Sequence, residues 1–273
     1  MEITLIQFLL GLLLMVVPAY FVAAYRLRFG GKMVSAFVMM LVKYAVVGAL
    51  LYMLFLWENI AANVLFALAC VAFASLAVVM KARLSVRHYY VPVAAGTLAA
   101  VAVVGAYVML VVLQGCKPLT CSRLLPVVGV LCGGIVQVVA KALSFYYMGL
   151  RNHSQMYYYL LGNGATRSEA LFYFRKRAFE RVLTHYVSRM SLAVVGSTPF
   201  VMWALLMCGV DVLSAVMLQV LLLVAVFAAV LLAVGVALWV ATRYSLDAYG
   251  RMKDAVEKPA EAPDVEENEA ENE

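Results

Sequence analysis

Seven apolar runs, each about 20 residues or longer and so able to cross a hydrocarbon core of roughly 30 Å, leave this chain few ways to fold. They lie near residues 3–25, 34–56, 60–80, 91–113, 124–149, 190–210 and 214–242. Lipid offers no partner to a backbone N–H or C=O, so each run must satisfy its own polar groups, and a helix does this within one segment. The short alternating pattern of a membrane β-barrel does not occur. The expected fold class is therefore all-α, a polytopic membrane protein with about seven transmembrane helices. The composition agrees, with 13% charged residues and a mean hydropathy of +0.95. The first run has no positive n-region and its charges follow it, so it reads as a retained anchor, not a cleaved leader.

The charges are sorted along the chain. Residues 254–273 hold nine of the fifteen acids and a single Lys, and with Pro259 and Pro263 they read as a disordered acidic tail behind a transmembrane body of residues 1–253. Of the 21 basic residues, 17 fall after the first, third, fifth and seventh runs, while the opposite loops hold only Lys117 and Arg123. Positive loops stay cytoplasmic, which places the N-terminus outside and the C-terminus inside.

One connection is long. Residues 150–189, between the fifth and sixth runs, carry "HSQMYYYLLG" and then "GNGATRSEALFYFRKRAFERV", the latter with five basic and two acidic residues. The first piece reads as a helix ending at Gly162, with Gly164 free to take a left-handed turn. Thr166 and Glu169 form a Ser/Thr-x-x-Glu capping box that opens a second helix from about Arg167 to Leu183. A cytoplasmic helix-turn-helix follows. On its second helix Leu171, Phe174, Ala178 and Val182 share one stripe, widened by Phe172, Phe179 and Leu183, opposite Lys176, Arg177, Glu180 and Arg181. Such a helix can lie in the headgroup layer or dock in the cleft of a cytoplasmic partner.

Motifs of catalysis are missing. "GNG" lacks the third glycine of a dinucleotide fingerprint and follows no strand, no Walker A loop occurs, and the three histidines form no HExxH pair. An intramembrane enzyme has no constellation to work with, and no nucleic-acid partner is expected. Cys116 and Cys121 flank "KPLT" in an outer loop, where a short disulfide is expected in an oxidising compartment and two free thiols are the alternative. Lys43 and Lys141 sit inside apolar runs, where a cation is expensive enough to suggest a translocation pathway unless it snorkels to the interface. "GVLCGG" at 129–134 contains a GxxxG, suited to internal helix packing or to a dimer seam.

Four passages in order, "LLPVVGVLCGG", "LLGNGATRSEAL", "GSTPFVMWALLMCGVD" and "AVMLQVLL", resemble the FetB/YbbM family of ABC-transporter permeases associated with iron export. The resemblance covers about residues 120–245. It implies a permease of the bacterial inner membrane that dimerises and couples to a separate ATP-binding subunit, so that ATP and Mg are bound on that partner and no cofactor on this chain. It further implies a docking loop at Gly164, Ala165 and Thr166, flanked by Tyr158, Gly162, Glu169 and Phe174, and a pathway that includes Pro199 and Gln219 beside Lys43 and Lys141. A metal site is not specified. The sequence departs from the family pattern at Tyr157 to Tyr159, where acidic and amide residues are usual, at Asn163, at Arg167, where Pro is common, at Gly134 and at Val212. Two lysines and no carboxylate within the spans line a path poorly for a ferrous ion and better for a phosphorylated or sugar-nucleotide solute.

Overall fold

A computed structural model of the chain describes residues 13–16, 20, 25, 30–57, 59–82, 84–112, 120–191 and 200–245. Apart from a short 3₁₀ turn at Leu13–Met15, the elements are helices: α1 (Gly30–Trp57), α2 (Ile60–Lys81), α3 (Val86–Tyr107) continued by a π turn (Val108–Val112), α4 (Cys121–Asn152), α5 (Ser154–Gly162), α6 (Arg167–Ser191), α7 (Phe200–Met207) and α8 (Val212–Ser245). Five of them are long and apolar enough to cross a membrane, within Met33–Trp57, Ile60–Lys81, Tyr89–Val112, Cys121–Asn152 and Val212–Thr242. The chain is an all-α polytopic membrane protein. The apolar run at 3–25 lies largely outside the described residues, and so do residues 192–199, which contain Pro199, and the acidic tail.

Polar residues placed at the ends of the runs start the helices. Asn59 Oδ1 accepts the Ala61 amide at 3.0 Å and opens α2, and Asp211 accepts the Ser214 amide at 3.5 Å and opens α8. Gly209, at φ +83°, closes α7 with the Val210 amide on the Leu205 carbonyl and its own amide on Leu206, a Schellman turn.

The core is a bundle of α2, α3, α4 and α8, centred on Val78, Val79, Ala100, Leu131, Ile135, Val139, Leu143, Val230 and Leu238. Between helices in lipid the hydrophobic effect supplies little, because the tails are as apolar as the side chains, so close backbone approach must do the work. Glycine permits it. A Cβ at Gly96 of α3 would lie 2.7 Å from the Ala233 carbonyl oxygen and 2.9 Å from the Ala237 amide of α8, and one at Gly134 of α4 would collide with Val226. Gly129 and Gly133, the GxxxG pair, face open space. The motif therefore splits: Gly134 seats α8, and the pair itself is left on the surface of this chain.

α1 stands apart from this core. It meets the bundle where Leu54 packs with Cys121 and Leu125, and the rest of its length is exposed. Replacing Gly96 with Val pushes two methyl groups into the backbone of α8, a loss of about 1–3 kcal/mol by the usual cost of overpacking. Thermal melting of the purified protein should fall for Gly96→Val and should not fall for Gly48→Ala, whose Cβ meets nothing; equal melting of both would contradict the packing described.

Candidate functional site

The expected hairpin forms. α5 ends in a Schellman turn: the Ala165 amide reaches the Leu160 carbonyl at 3.1 Å and the Gly164 amide reaches Leu161 at 3.1 Å, with Gly164 at φ +87°. Two residues on, the Thr166 amide donates to Glu169 Oε2 at 2.8 Å and the Glu169 amide donates to Thr166 Oγ1 at 3.4 Å. This is the capping box read from the sequence. Donation from the Thr166 amide and, after it, the Thr166 side chain holds the Glu169 carboxyl below its ordinary value. Tyr158, Gly162, Gly164, Thr166 and Glu169 are exposed, Ala165 is half-buried, and no atom lies within 4 Å of a Cβ built at Gly162 or Gly164. The tip is rigidly closed and open to its surroundings.

Phe174 is different. The stripe expected to enter a partner's cleft, or lipid, is filled by the chain itself: Ala170, Leu171, Phe174, Ala178, Val182 and Tyr186 are all buried in the core against α4 and α8. A Cβ at Gly149 would sit 3.7 Å from Phe174 Cδ1, one at Gly235 sits 3.5 Å from Phe179 Cζ, and the Tyr186 ring lies 5.2 Å from that of Phe227. This corrects the assignment of Phe174 to a partner surface. Helical periodicity tells that a face is covered and not what covers it.

These contacts also fix the path of α6. From Phe174 to Tyr186 its neighbours step back from Gly149 to Val138 on α4, and from Gly235 to Phe227 on α8. α6 is antiparallel to both and descends from the hairpin end of the bundle into its middle. Phe227 is roughly 22 Å from the start of α8 and roughly 27 Å from its end at 1.5 Å per residue, which sets Tyr186 near the midplane. α6 thus reaches the middle of the bundle before residue 190; residues 192–199, in the apolar run expected at 190–210, lie outside the described residues. The other face of α6 carries Arg177, Glu180, Arg181 and Thr184, which line a groove with Phe145, Met148 and Asn152 of α4.

Lys141 meets this face. It shares with Arg181 a cavity of about 430 Å³, lined also by Val138, Ala142, Ser144, Phe145 and Val182. The Arg181 guanidinium lies 4.9 Å from the Phe145 ring centroid, a cation–π contact. Exposed along α4 at four-residue spacing, Gly129, Gly133, Gln137 and Lys141 make a small and polar strip instead of a lipid-like one. Lys43 does not line this cavity; it projects from the open surface of α1, and the structure does not bring the two lysines together. Gln219 on α8 is half-buried, with Oε1 enclosed and without a hydrogen-bond partner among the described residues. Pro199 lies outside the described residues.

The expected disulfide involves Cys116, which lies outside the described residues. Cys121, at the head of α4, is 3% exposed and packed with Leu54 and Leu125. A small sulfur side chain in an apolar cluster serves as packing. Among the described residues no group of three or more His, Cys, Asp or Glu side chains could hold a metal ion.

An aromatic anchor at the hairpin end escaped the sequence reading. Tyr89 and Tyr147 meet at 4.7 Å between ring centroids, Tyr147 and Tyr146 at 5.1 Å, and Tyr157 of α5 is fully buried beside them in the core. Doubled tyrosines at 89–90 and 146–147, each near a run's end, were the available signal. The tyrosine at 157, which departs from the family pattern, is therefore a packing residue.

Two outcomes test the hairpin. Gly164→Ala forces a left-handed conformation on a residue with a Cβ and should cost the hairpin about 1–2 kcal/mol, read as faster amide hydrogen exchange at 160–169; unchanged exchange would contradict the turn. Because Glu169 titrates lower in the folded protein than in the unfolded chain, its capping contribution is full above the ordinary carboxylate range. It is lost as pH falls through the folded value, so the protection of the Thr166 amide relative to its intrinsic exchange rate should fall in acid, and should not in Glu169→Gln.

No curated protein and no solved structure matches the chain. A family does: residues 5–245 match the uncharacterised protein family UPF0014. With nearly all of its membrane body inside that match, the chain belongs to UPF0014, the family of the FetB/YbbM-type permeases.

Proposed function

We propose that this chain is the permease subunit of an ATP-driven transporter, moving its solute outward by alternating access while a separate ABC-type subunit binds and hydrolyses ATP. The observation that carries the reading is α6: one unbroken helix of 25 residues joins an exposed, tightly closed turn to the polar strip around Lys141. A partner that grips the turn moves a lever, and the lever's other end lies in the membrane. Docking then falls to Tyr158, Gly162, Gly164, Ala165, Thr166 and Glu169. The buried stripe from Leu171 to Val182 transmits the force to α4 and α8. In this reading the chain is not itself an enzyme and holds no cofactor; the hairpin is cytoplasmic, with the N-terminus outside, in a bacterial inner membrane. The open Gly129 and Gly133 pair suits the seam of a homodimer.

Family resemblance points to iron or a similar metal ion as solute. A second reading, an anionic solute, has its own observation: two cations and a hydroxyl face the Lys141 cavity. The non-transporting scaffold that lies on lipid through the stripe of α6 loses support, since that stripe is filled from within.

Gly162→Trp separates fold from docking, because Gly162 is exposed, a Cβ there meets no atom within 4 Å, and the ring blocks whatever seats on the turn. In liposomes holding the chain and its ATP-binding subunit, the variant should melt like the parent and lose solute-stimulated ATP hydrolysis. Undiminished stimulation would remove the docking role. Comparing ferrous ion with phosphorylated compounds as stimulants decides between the two solutes.

A further inference from the structure

We infer that Lys141 and Arg181 form a binding site for a phosphate-bearing anion in the leaflet on the hairpin side of the membrane. Their depths agree independently. Lys141 is about 7 Å from the midpoint of the apolar run 124–149, and Arg181 is about 7 Å from Tyr186, which lies near the midplane against Phe227. Both side chains are long enough to carry their charge toward the headgroup boundary, and both open on one cavity of about 430 Å³ that the half-buried Ser144 also lines.

Nothing described on this chain neutralises them. The described residues include three acidic side chains. Glu169 is committed to the Thr166 cap, Asp211 caps α8 at the other end of the bundle, and Glu180 pairs with Lys176 at 3.8 Å. Two like charges within an apolar surface repel each other and favour an anion between them. The hardware suits phosphate. Arg181 offers a planar fork of donors, oriented by the Phe145 ring, Lys141 adds a compact charge, and Ser144 adds a hydroxyl donor. A phosphate in this position comes either from an anionic lipid headgroup or from a soluble phosphorylated compound.

The test uses the full chain in micelles of an uncharged maltoside detergent with no ATPase present, so its outcome is independent of the transport reading. Phosphatidylglycerol and inorganic pyrophosphate are titrated separately, and binding is read from the shift in melting temperature. At least one should bind. Lys141→Met and Arg181→Gln should each weaken it about fivefold, Arg181→Lys should retain most of it, and Lys81→Gln, at the exposed end of α2 and outside the cavity, should leave it unchanged. Binding of phosphatidylglycerol assigns the lipid source; binding of pyrophosphate alone assigns the soluble one. Lys141→Met places an apolar side chain in an apolar span and should fold whatever becomes of the arginine variant. If neither probe binds the parent chain, or Lys141→Met and Lys81→Gln bind alike, the site is refuted.

Discussion

The stripe from Ala170 to Tyr186, packed against α4 and α8, joins the part of this protein that faces water to the part that faces lipid. Its two halves are held by different forces. Leu171 and Phe174 lie near Gly149, toward the hairpin end, where removal from water stabilises each by about 1.5–3 kcal/mol. Val182 and Tyr186 lie between membrane helices, where lipid would solvate them almost as well and dispersion and close fit decide. The hairpin is therefore not an appendage. Its position is set by the bundle, and a displacement of the turn must be absorbed by α4 and α8.

The bundle can absorb it because small residues set its spacing. Gly96 and Gly134 let α8 approach α3 and α4 so closely that a Cβ would collide at either position. Next to this tight seam, α4 turns outward a strip of Gly129, Gly133, Gln137 and Lys141, which has no apolar character to match to lipid. A surface of that kind fits another helix or a water-filled path. With Arg181 delivered to its end by α6, the strip has charge only toward the hairpin side, an asymmetry that a directional transporter can use.

Much of this was legible in the sequence, and the limits were physical. Long apolar runs gave five described spans to within a few residues, since a buried backbone in lipid has one economical conformation. Thr166, Glu169 and Gly164 gave the turn, since capping and left-handed backbone are local chemistry. Phe174 was misplaced because its partner, Gly149, lies 25 residues away and leaves no periodic trace. The passage of α6 into the bundle left little trace because the helix carries Lys176, Arg177, Glu180 and Arg181 on one face while its other face packs against α4 and α8. The burial of Cys121 with Leu54 depends on a contact between α1 and α4 that no spacing encodes. The Lys141 and Arg181 pairing was hidden for the same reason, the two residues being 40 positions apart and counted separately as an intramembrane charge and a loop charge.

The central claim is that α6 enters the membrane instead of lying on it. Spin labels at Phe172 and Val187, both exposed on α6 and about 22 Å apart along its axis, report this directly when the protein is in liposomes. Phe172 should collide freely with a water-soluble relaxation agent, and Val187 should be shielded from it while remaining accessible to oxygen dissolved in the lipid. Equal access of the water-soluble agent to both positions would place α6 flat on the surface and contradict the account.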